Sequence, residues 1–257
     1  MKSLSLLMIT KNSGELIDSS LKSVLGLIDE IVIVDDYSSD NTRAIAKKYK
    51  AMIYKRSSEN LGKQRAYGLS KCKGEWILML DADEIISQEL KNEIISVVCR
   101  QLSVVGNISG YYIPYQNHFL GKPINYGGEN YRILRLFKRA STHITENVVH
   151  EHVIVNGKVG FLTHKIFHYS YRNLSQTYKK FADYARREAY RKLSQGERTS
   201  FKKLILYPIH MFWARYVKDR GFKDYGLRIL LDIGFAYMEF LIYFLMLFDL
   251  KKYKKSD

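Results

Sequence analysis

Three apolar runs, each stopping at a hydroxyl or an acid, leave the first third of the chain few folds to choose from. They are residues 4–10 (LSLLMIT), 31–35 (IVIVD) and 76–81 (WILMLD), and a fourth short run covers 51–55. Runs of this length, rich in Leu, Ile and Val, read as strands buried on both faces. Between them lie helical patterns. Leu16, Leu21, Val24 and Leu25 share one helix face, Asp40 stands where an N-cap belongs ahead of TRAIAKKY, and 61–71 and 87–103 read as further helices. Strand and helix alternating at this spacing means βαβ units, hence an α/β fold with a mostly parallel sheet and helices on both faces. Ligands of such sheets bind at the carboxyl ends of the strands, which here are Thr10, Asp35 and Asp81.

After about residue 105 the pattern changes. Residues 111–116, 131–138, 147–155 and 159–167 are strand-like and separated by glycine-containing turns (GGEN, NGK), and helices are expected over 173–195, 200–221 and 222–250. This predicts a catalytic region over 1–170, with a ligand-binding half (1–104) and a second half (105–170), followed by a helical extension over 171–257. The net charge of +15 is concentrated late. Residues 163–257 hold 20 basic and 9 acidic residues, net +11, against +4 for everything before them. Such a concentration calls for an anionic partner, either nucleic acid or an acidic membrane surface. The two cysteines, Cys72 and Cys99, match neither a disulfide framework nor a zinc motif, and no small-residue cleavage site follows the first apolar run, so a reduced cytoplasmic setting is expected.

The last helix carries 17 apolar residues among positions 229–248, long enough to span a bilayer. Asp232 and Glu239 interrupt it, and each costs about 2.5–3.5 kcal/mol near a helix centre, which roughly cancels the gain from its Leu, Ile and Phe residues. An interfacial helix flanked by Lys251, Lys252, Lys254 and Lys255 is therefore expected, peripheral on the inner face of the membrane. A buried helix or a homodimer contact is the alternative use of the same residues.

Two clusters can carry chemistry. The triplet Asp81-Ala82-Asp83 ends a buried strand, where two carboxylates within one turn are costly unless a cation sits between them. Mg²⁺ or Mn²⁺ suits the place, since such ions take one or two carboxylates plus substrate phosphates. Asp35 and Asp36 follow the second strand, and an acid there can accept hydrogen bonds from a nucleobase or ribose, although Asp36, Ser38, Ser39 and Asp40 also suit a turn and a helix cap.

Four segments, TKN (10–12), VDDYSSDNT (34–42), ENLGKQRAYGL (59–69) and LDADE (80–84), occur in an order and spacing that resembles the family 2 glycosyltransferases, which have the GT-A fold. Downstream, RLFKR (135–139), VHEHV (149–153) and HYSYRNL (168–174) are similar to the bacterial lipopolysaccharide-core glucosyltransferase subgroup. Ser13, where many members have an acid, and GGENYRILRLF, where relatives often carry Pro-Asp, depart from that pattern.

The resemblance implies that Thr10, Lys11 and Asp35 hold the donor nucleotide with Asp36 in support, that Lys63 and Arg65 face the diphosphate, and that Asp81 and Ala82 line the donor site. It also implies that Asp83, with Asp81, ligates the metal. The expected donor is a UDP-hexose, UDP-glucose first, and the expected acceptor a lipid-linked saccharide. An inverting transfer needs a base on the face of the sugar opposite the diphosphate. Glu151 is the first choice and Glu129 the second, with Glu146 also in reach. Tyr111, Tyr112, Tyr115 and Tyr126 could stack on a sugar, though strand tyrosines more often just pack. The seven histidines match no standard zinc spacing. A sugar-1-phosphate nucleotidyltransferase would want a glycine-rich basic loop after the first strand, and TKNSGE is not one. A nucleic-acid-binding protein would want a basic face with stacking residues, and no usual nucleic-acid module occurs, so no nucleic acid is expected as partner.

Overall fold

A computed structural model of the chain describes residues 3–57, 60–99, 108–145 and 153–247. By internal packing it divides into two compact units, one formed by Met1–Tyr115 and Tyr131–His168, the other by Gln116–Asn130 and Tyr169–Asp257.

In the first unit β1 (Leu4–Thr10), α1 (Ile17–Ser23), β2 (Glu30–Asp35), α2 (Thr42–Lys48), β3 (Met52–Lys55), α3 (Leu61–Lys71) and β4 (Trp76–Met79) follow one another as βαβ units. The four strands lie parallel in the order β3-β2-β1-β4, with Thr10 beside Asp35 and Leu7 beside Met79. The period of two in β1 divides its side chains between two cores. Leu4, Leu6 and Met8 pack with Ile17 and Leu21 of α1, Ala46 of α2, and Leu90 and Ile94 of α4 (Gln88–Cys99). Leu7 packs on the other face with Val32, Ile77 and Met79, against Leu69 and Cys72 at the end of α3. Helices therefore cover both faces, as the buried strands require. Strand order reverses between β1 and β4, and the carboxyl ends of these two strands form the crevice where ligands of such sheets bind.

The later strands are mixed. After β5 (Glu84–Ile86) and α4 come β6 (Ile108–Phe119), β7 (Lys122–Pro123), β8 (Arg132–Lys138), β9 (Thr142–Ile144), β10 (Val153–Val155), β11 (Lys158–Phe161) and β12 (Ile166–Tyr171). β8 is antiparallel to β4 and to β6, β11 is parallel to β6, and β12 is antiparallel to β5. The strand expected over 159–167 is two strands. The backbone N–H groups of Thr163 and His164 both donate to the Glu93 carboxylate, which turns the chain between them. Asp40 does not occupy the N-cap position of α2, which is Asn41. Its Oδ1 instead accepts from the Thr42 N–H at 3.0 Å, and its Oδ2 from Gly14 N–H at 2.8 Å.

The second unit holds α5 (Leu174–Ser194), α6 (Phe201–Phe212), a π-helical continuation (Trp213–Lys218) and α7 (Arg228–Leu247). The helix expected from residue 222 begins at Arg228, because the Asp224 carboxylate is held outside it by the backbone N–H groups of Asn125 and Tyr126. The same contacts explain why 116–130 belongs to the helical unit. Phe119 and Ile124 bury with Phe181 and Leu231, and Glu129 pairs with Arg215. Arg215 and Arg228 also meet Asp232, at 3.2 and 3.0 Å. Asp232 is thus an inward ionic partner, fully buried, and not a charge on an outer apolar face. Gly127, at φ +72°, lies so close to Arg228 that a Cβ would stand 2.0 Å from its Nη2, so only glycine fits this turn.

Candidate active site

At the carboxyl ends of β1 and β2, Asp35 is fully buried and used internally. Its Oδ2 accepts from the Thr10 hydroxyl at 3.0 Å and from the Ser38 hydroxyl, and its Oδ1 accepts from Ser38 N–H at 3.0 Å, with Arg43 Nε 3.6 Å away. Asp36 is the more accessible of the two acids and takes Lys11 Nζ at 2.8 Å, an exposed cation whose hydrogen bond holds the Asp36 carboxyl below its ordinary range. Two residues beside this pair have left-handed backbone, Asn12 at φ 49° and Tyr37 at φ 47°. Asparagine tolerates that region, and Tyr37 is held in it by its neighbours: Asp36 N–H donates to the Thr10 carbonyl at 2.8 Å and Ser38 N–H to Asp35.

Helix α3 brings cations to the end of β4. Asn60 caps it by accepting from Lys63 N–H at 3.0 Å. Two turns on, Gly68 lets the helix lie close against the sheet, since a Cβ there would stand 2.4 Å from Leu7 Cδ1 and 2.9 Å from Val34 Cγ2. At that distance Arg65 reaches Asp81, donating from Nη2 to both carboxylate oxygens at 2.8 and 3.1 Å, while Lys63 stays exposed.

Arg135 of β8 meets the same carboxylate at 2.8 Å and bridges it to Glu84 at 2.6 Å. Glu84 is buried, and its Oε1 also receives the Tyr115 hydroxyl, which in turn accepts from Arg135 at 2.9 Å. Its Oε2 accepts from Asp81 N–H at 3.0 Å and closes the Asp81–Glu84 turn. Burial alone would raise the Asp81 carboxyl, but the two guanidinium groups overcome it and hold the group far below the carboxylate range. For Glu84 burial wins over Arg135 and lifts the carboxyl to about 7.

With Asp81 occupied by arginines, Asp83 turns to His168 of β12, whose Nε2 lies 3.3 Å from Asp83 Oδ2. Ligand atoms of Asp83, Glu84 and His168 lie within 4.8 Å of one another, and Asp81 is not in this group. Two adjacent ligands of an octahedral ion bound at about 2.1 Å are about 3 Å apart, so the Asp83–His168 spacing suits Mg²⁺ or Mn²⁺ with positions left for phosphate oxygens. The chain thus gathers a candidate metal pair, a braced acidic turn and Arg65 of α3 at one strand end, which suits a metal-bound diphosphate.

A profile described as Glycosyl transferase family 2 matches residues 5–156, more than half of the chain. The chain belongs to glycosyl transferase family 2. This family 2 transferase is 28% identical to an uncharacterized glycosyltransferase of Rickettsia felis over 86% of its own length and 81% of that protein's. It is 27% identical to the lipopolysaccharide core biosynthesis glycosyltransferase LpsC of Rhizobium meliloti, over 74% of its length and 72% of that relative's. Among solved structures it is similar to S. aureus TarS in complex with UDP, at 16% identity and a TM-score of 0.47, covering 88% of this chain and 76% of that one. Family membership agrees with the α/β fold of β1–β4 and sets aside the nucleotidyltransferase and nucleic-acid readings.

Of the residues singled out in the sequence, the structure gathers Thr10, Lys11, Asp35 and Asp36 at one pair of strand ends, and Arg65, Asp81 and Asp83 at the next strand end. Glu129 lies in the second unit, buried, where it accepts from Arg215 and from Asn117 Nδ2 at 3.0 Å. Glu151, Glu146, His150 and His152 fall outside the described residues, as do the lysines after position 250. Tyr111 packs on Trp76, and Tyr112 stacks on Phe161. Arg135, Glu84 and His168 had no role assigned from sequence, although they sit in RLFKR, LDADE and HYSYRNL.

Proposed function

We propose that this transferase is a divalent-metal-dependent, inverting hexosyltransferase that moves glucose from UDP-glucose onto a lipid-linked saccharide, such as the lipopolysaccharide inner core, at the inner membrane face. The observation that carries the reading is the Asp83–His168 pair, 3.3 Å apart beside the Arg65–Asp81–Arg135 cluster. Asp83 and His168 would hold Mg²⁺ or Mn²⁺, which when bound stabilises negative charge on a departing diphosphate. Lys63 and Arg65 add positive charge on the same side, and Asp81, with Ala82, sets the Arg65 guanidinium and the turn that presents Asp83. Lys11 and Asp36, the accessible pair, meet the nucleoside, while Thr10 and Asp35 fix the loop that carries them. Glu151 takes the proton of the acceptor hydroxyl. Glu129, already engaged by Arg215, is the second choice for that base. The lipopolysaccharide-core naming of the Rhizobium relative supports the acceptor class, and the basic residues 171–257 support an anionic membrane as partner.

The test is nucleotide release from UDP-, GDP- and ADP-hexoses in parallel, with Mg²⁺, Mn²⁺ or EDTA. Release from UDP-glucose that EDTA abolishes is the expected result. Turnover untouched by EDTA sinks the metal requirement, and preference for another nucleotide or sugar sinks the donor.

A further inference from the structure

Helix α6 and its π continuation are apolar on two sides. Leu204 faces inward and packs with Ala185, Ala189 and Ile242. Phe201, Ile205, Ile209, Trp213 and Val217, spaced four apart, face the other way and are 72, 50, 61, 48 and 46% exposed. A surface helix of a soluble protein turns one stripe to the core and charges to the solvent. Here the outward stripe is as apolar as the inward one, and a contiguous patch of this kind marks an interaction surface.

The surroundings of the stripe say what it meets. Residues 198–223 hold seven basic residues and one acid, Asp219, and only Arg215 of the seven is turned inward, to Glu129 and Asp232. Lys202 stands within the stripe, and Lys218, Arg220 and Lys223 are exposed at its far end. A second copy of the chain seated face to face would press these cations against one another, and like charges across an interface disfavour it. An anionic lipid surface matches both properties, with apolar side chains at the acyl boundary, lysines reaching the headgroups, and a tryptophan at the depth that residue favours.

We infer that the α6 face, Phe201 to Val217, is the surface by which the enzyme docks on an anionic bilayer, an inference that rests on the membrane-located acceptor proposed above. It moves the contact away from the last helix. Among the described residues α7 is the one helix long and apolar enough to cross a membrane by length and composition. It too shows an outward stripe, Ile233, Tyr237, Phe240 and Phe244, but its single basic residue, Arg228, is buried.

The chain holds two tryptophans, and Trp76 is fully buried while Trp213 lies on the stripe. The full chain is mixed with phosphatidylglycerol-containing vesicles whose acyl chains are brominated, and tryptophan emission is followed alongside co-sedimentation. Expected are a blue shift and quenching of Trp213, with weak binding to phosphatidylcholine alone. Ile205→Gln/Ile209→Gln/Val217→Gln should reduce the bound fraction at least tenfold, with the melting temperature and UDP-glucose hydrolysis unchanged. An Ile233→Gln/Phe240→Gln/Phe244→Gln variant should keep most of the binding. Equal pelleting of the α6 variant and the wild type overturns the inference, as does loss of binding only in the α7 variant, or an α6 variant that changes oligomeric mass but not vesicle binding. A full chain that binds neither vesicle also removes the membrane-located acceptor, whereas hydrolysis of UDP-glucose reports separately on the donor reaction.

Discussion

Replacing Arg135 by methionine should expose how much of the acidic turn depends on one guanidinium. The side chain is buried and its Nη2 makes three contacts: Asp81 at 2.8 Å, Glu84 at 2.6 Å and the Tyr115 hydroxyl at 2.9 Å. The losses are unequal. Asp81 keeps Arg65 and is partly open to solvent, so most of its stabilisation survives. Glu84, 1% exposed, loses the guanidinium 2.6 Å away and is left with the Tyr115 hydroxyl, the Asp81 N–H and the more distant His168 ring.

Removing one partner of a buried pair costs about 3–5 kcal/mol when the other stays charged. For a chain of this size that is a fall in Tm of about 10 °C. The penalty should depend on pH. Burial raises the folded-state pKa of Glu84 from 4.5 to about 7, so the protonated form is favoured in the folded state. The stability tied to that raised pKa is full below 4.5 and is lost as pH climbs through 7. Without Arg135 the carboxyl rises further, so the variant should melt close to wild type at pH 5.5 and far below it at pH 8.5. Differential scanning calorimetry in EDTA measures this directly. Adding Glu84→Gln should restore much of the loss at pH 8.5, because no charge is then stranded. Equal destabilisation at both pH values, or no rescue by Glu84→Gln, would refute the reasoning.

Asp83→Ala should abolish the rise in Tm that Mn²⁺ and UDP together give the wild type, and with it metal-dependent UDP release, while the metal-free melt stays within about 1 kcal/mol, as Asp83 is a partly exposed pair member. Glu151→Gln should lower transfer by about 10²–10⁴-fold in a radiolabelled-sugar assay and leave the UDP dissociation constant unchanged, as expected of a lost general base. Gly68→Val should cost about 1–3 kcal/mol by urea unfolding, since the new Cβ meets Leu7 and Val34 of the sheet. If instead Gly68→Val unfolds at the wild-type midpoint, α3 does not need that close approach to place Arg65.

The strand ends were legible because buried β1, β2 and β4 are almost continuous apolar runs, and the polar residue that stops each run is conspicuous. The partners of those residues were not. Asp35 reads as a ligand for a nucleobase, and Ser38, three residues on, is a turn partner that the sequence offers, but the Thr10 hydroxyl comes from the neighbouring strand, 25 residues away, and no local pattern reveals it. Arg135 lies 54 residues from the carboxylate it braces, and only strand pairing between β4 and β8 brings them level. Asp232 was counted as a cost to an apolar helix, because a lone acid in such a run carries no sign of the arginines waiting for it. The GGEN segment reads as a glycine-containing turn between strands, and its attachment to Arg215, 86 residues on, leaves no local trace.

That last attachment has a consequence for how the protein is made. Residues 116–130 leave the ribosome well before their partners: Glu129 precedes Arg215 by 86 residues and Asn125 precedes Asp224 by 99. At bacterial and eukaryotic synthesis rates of about 5–20 residues per second the interval is roughly 4–20 s. Once His168 has been made, about midway through it, the first unit can already be complete, while Phe119, Ile124 and Glu129 still lack their partners in the helices. A message truncated after codon 168 would therefore yield a finished nucleotide-sugar domain carrying a sticky fifteen-residue insert, a natural client for chaperones and a poor candidate for expression alone.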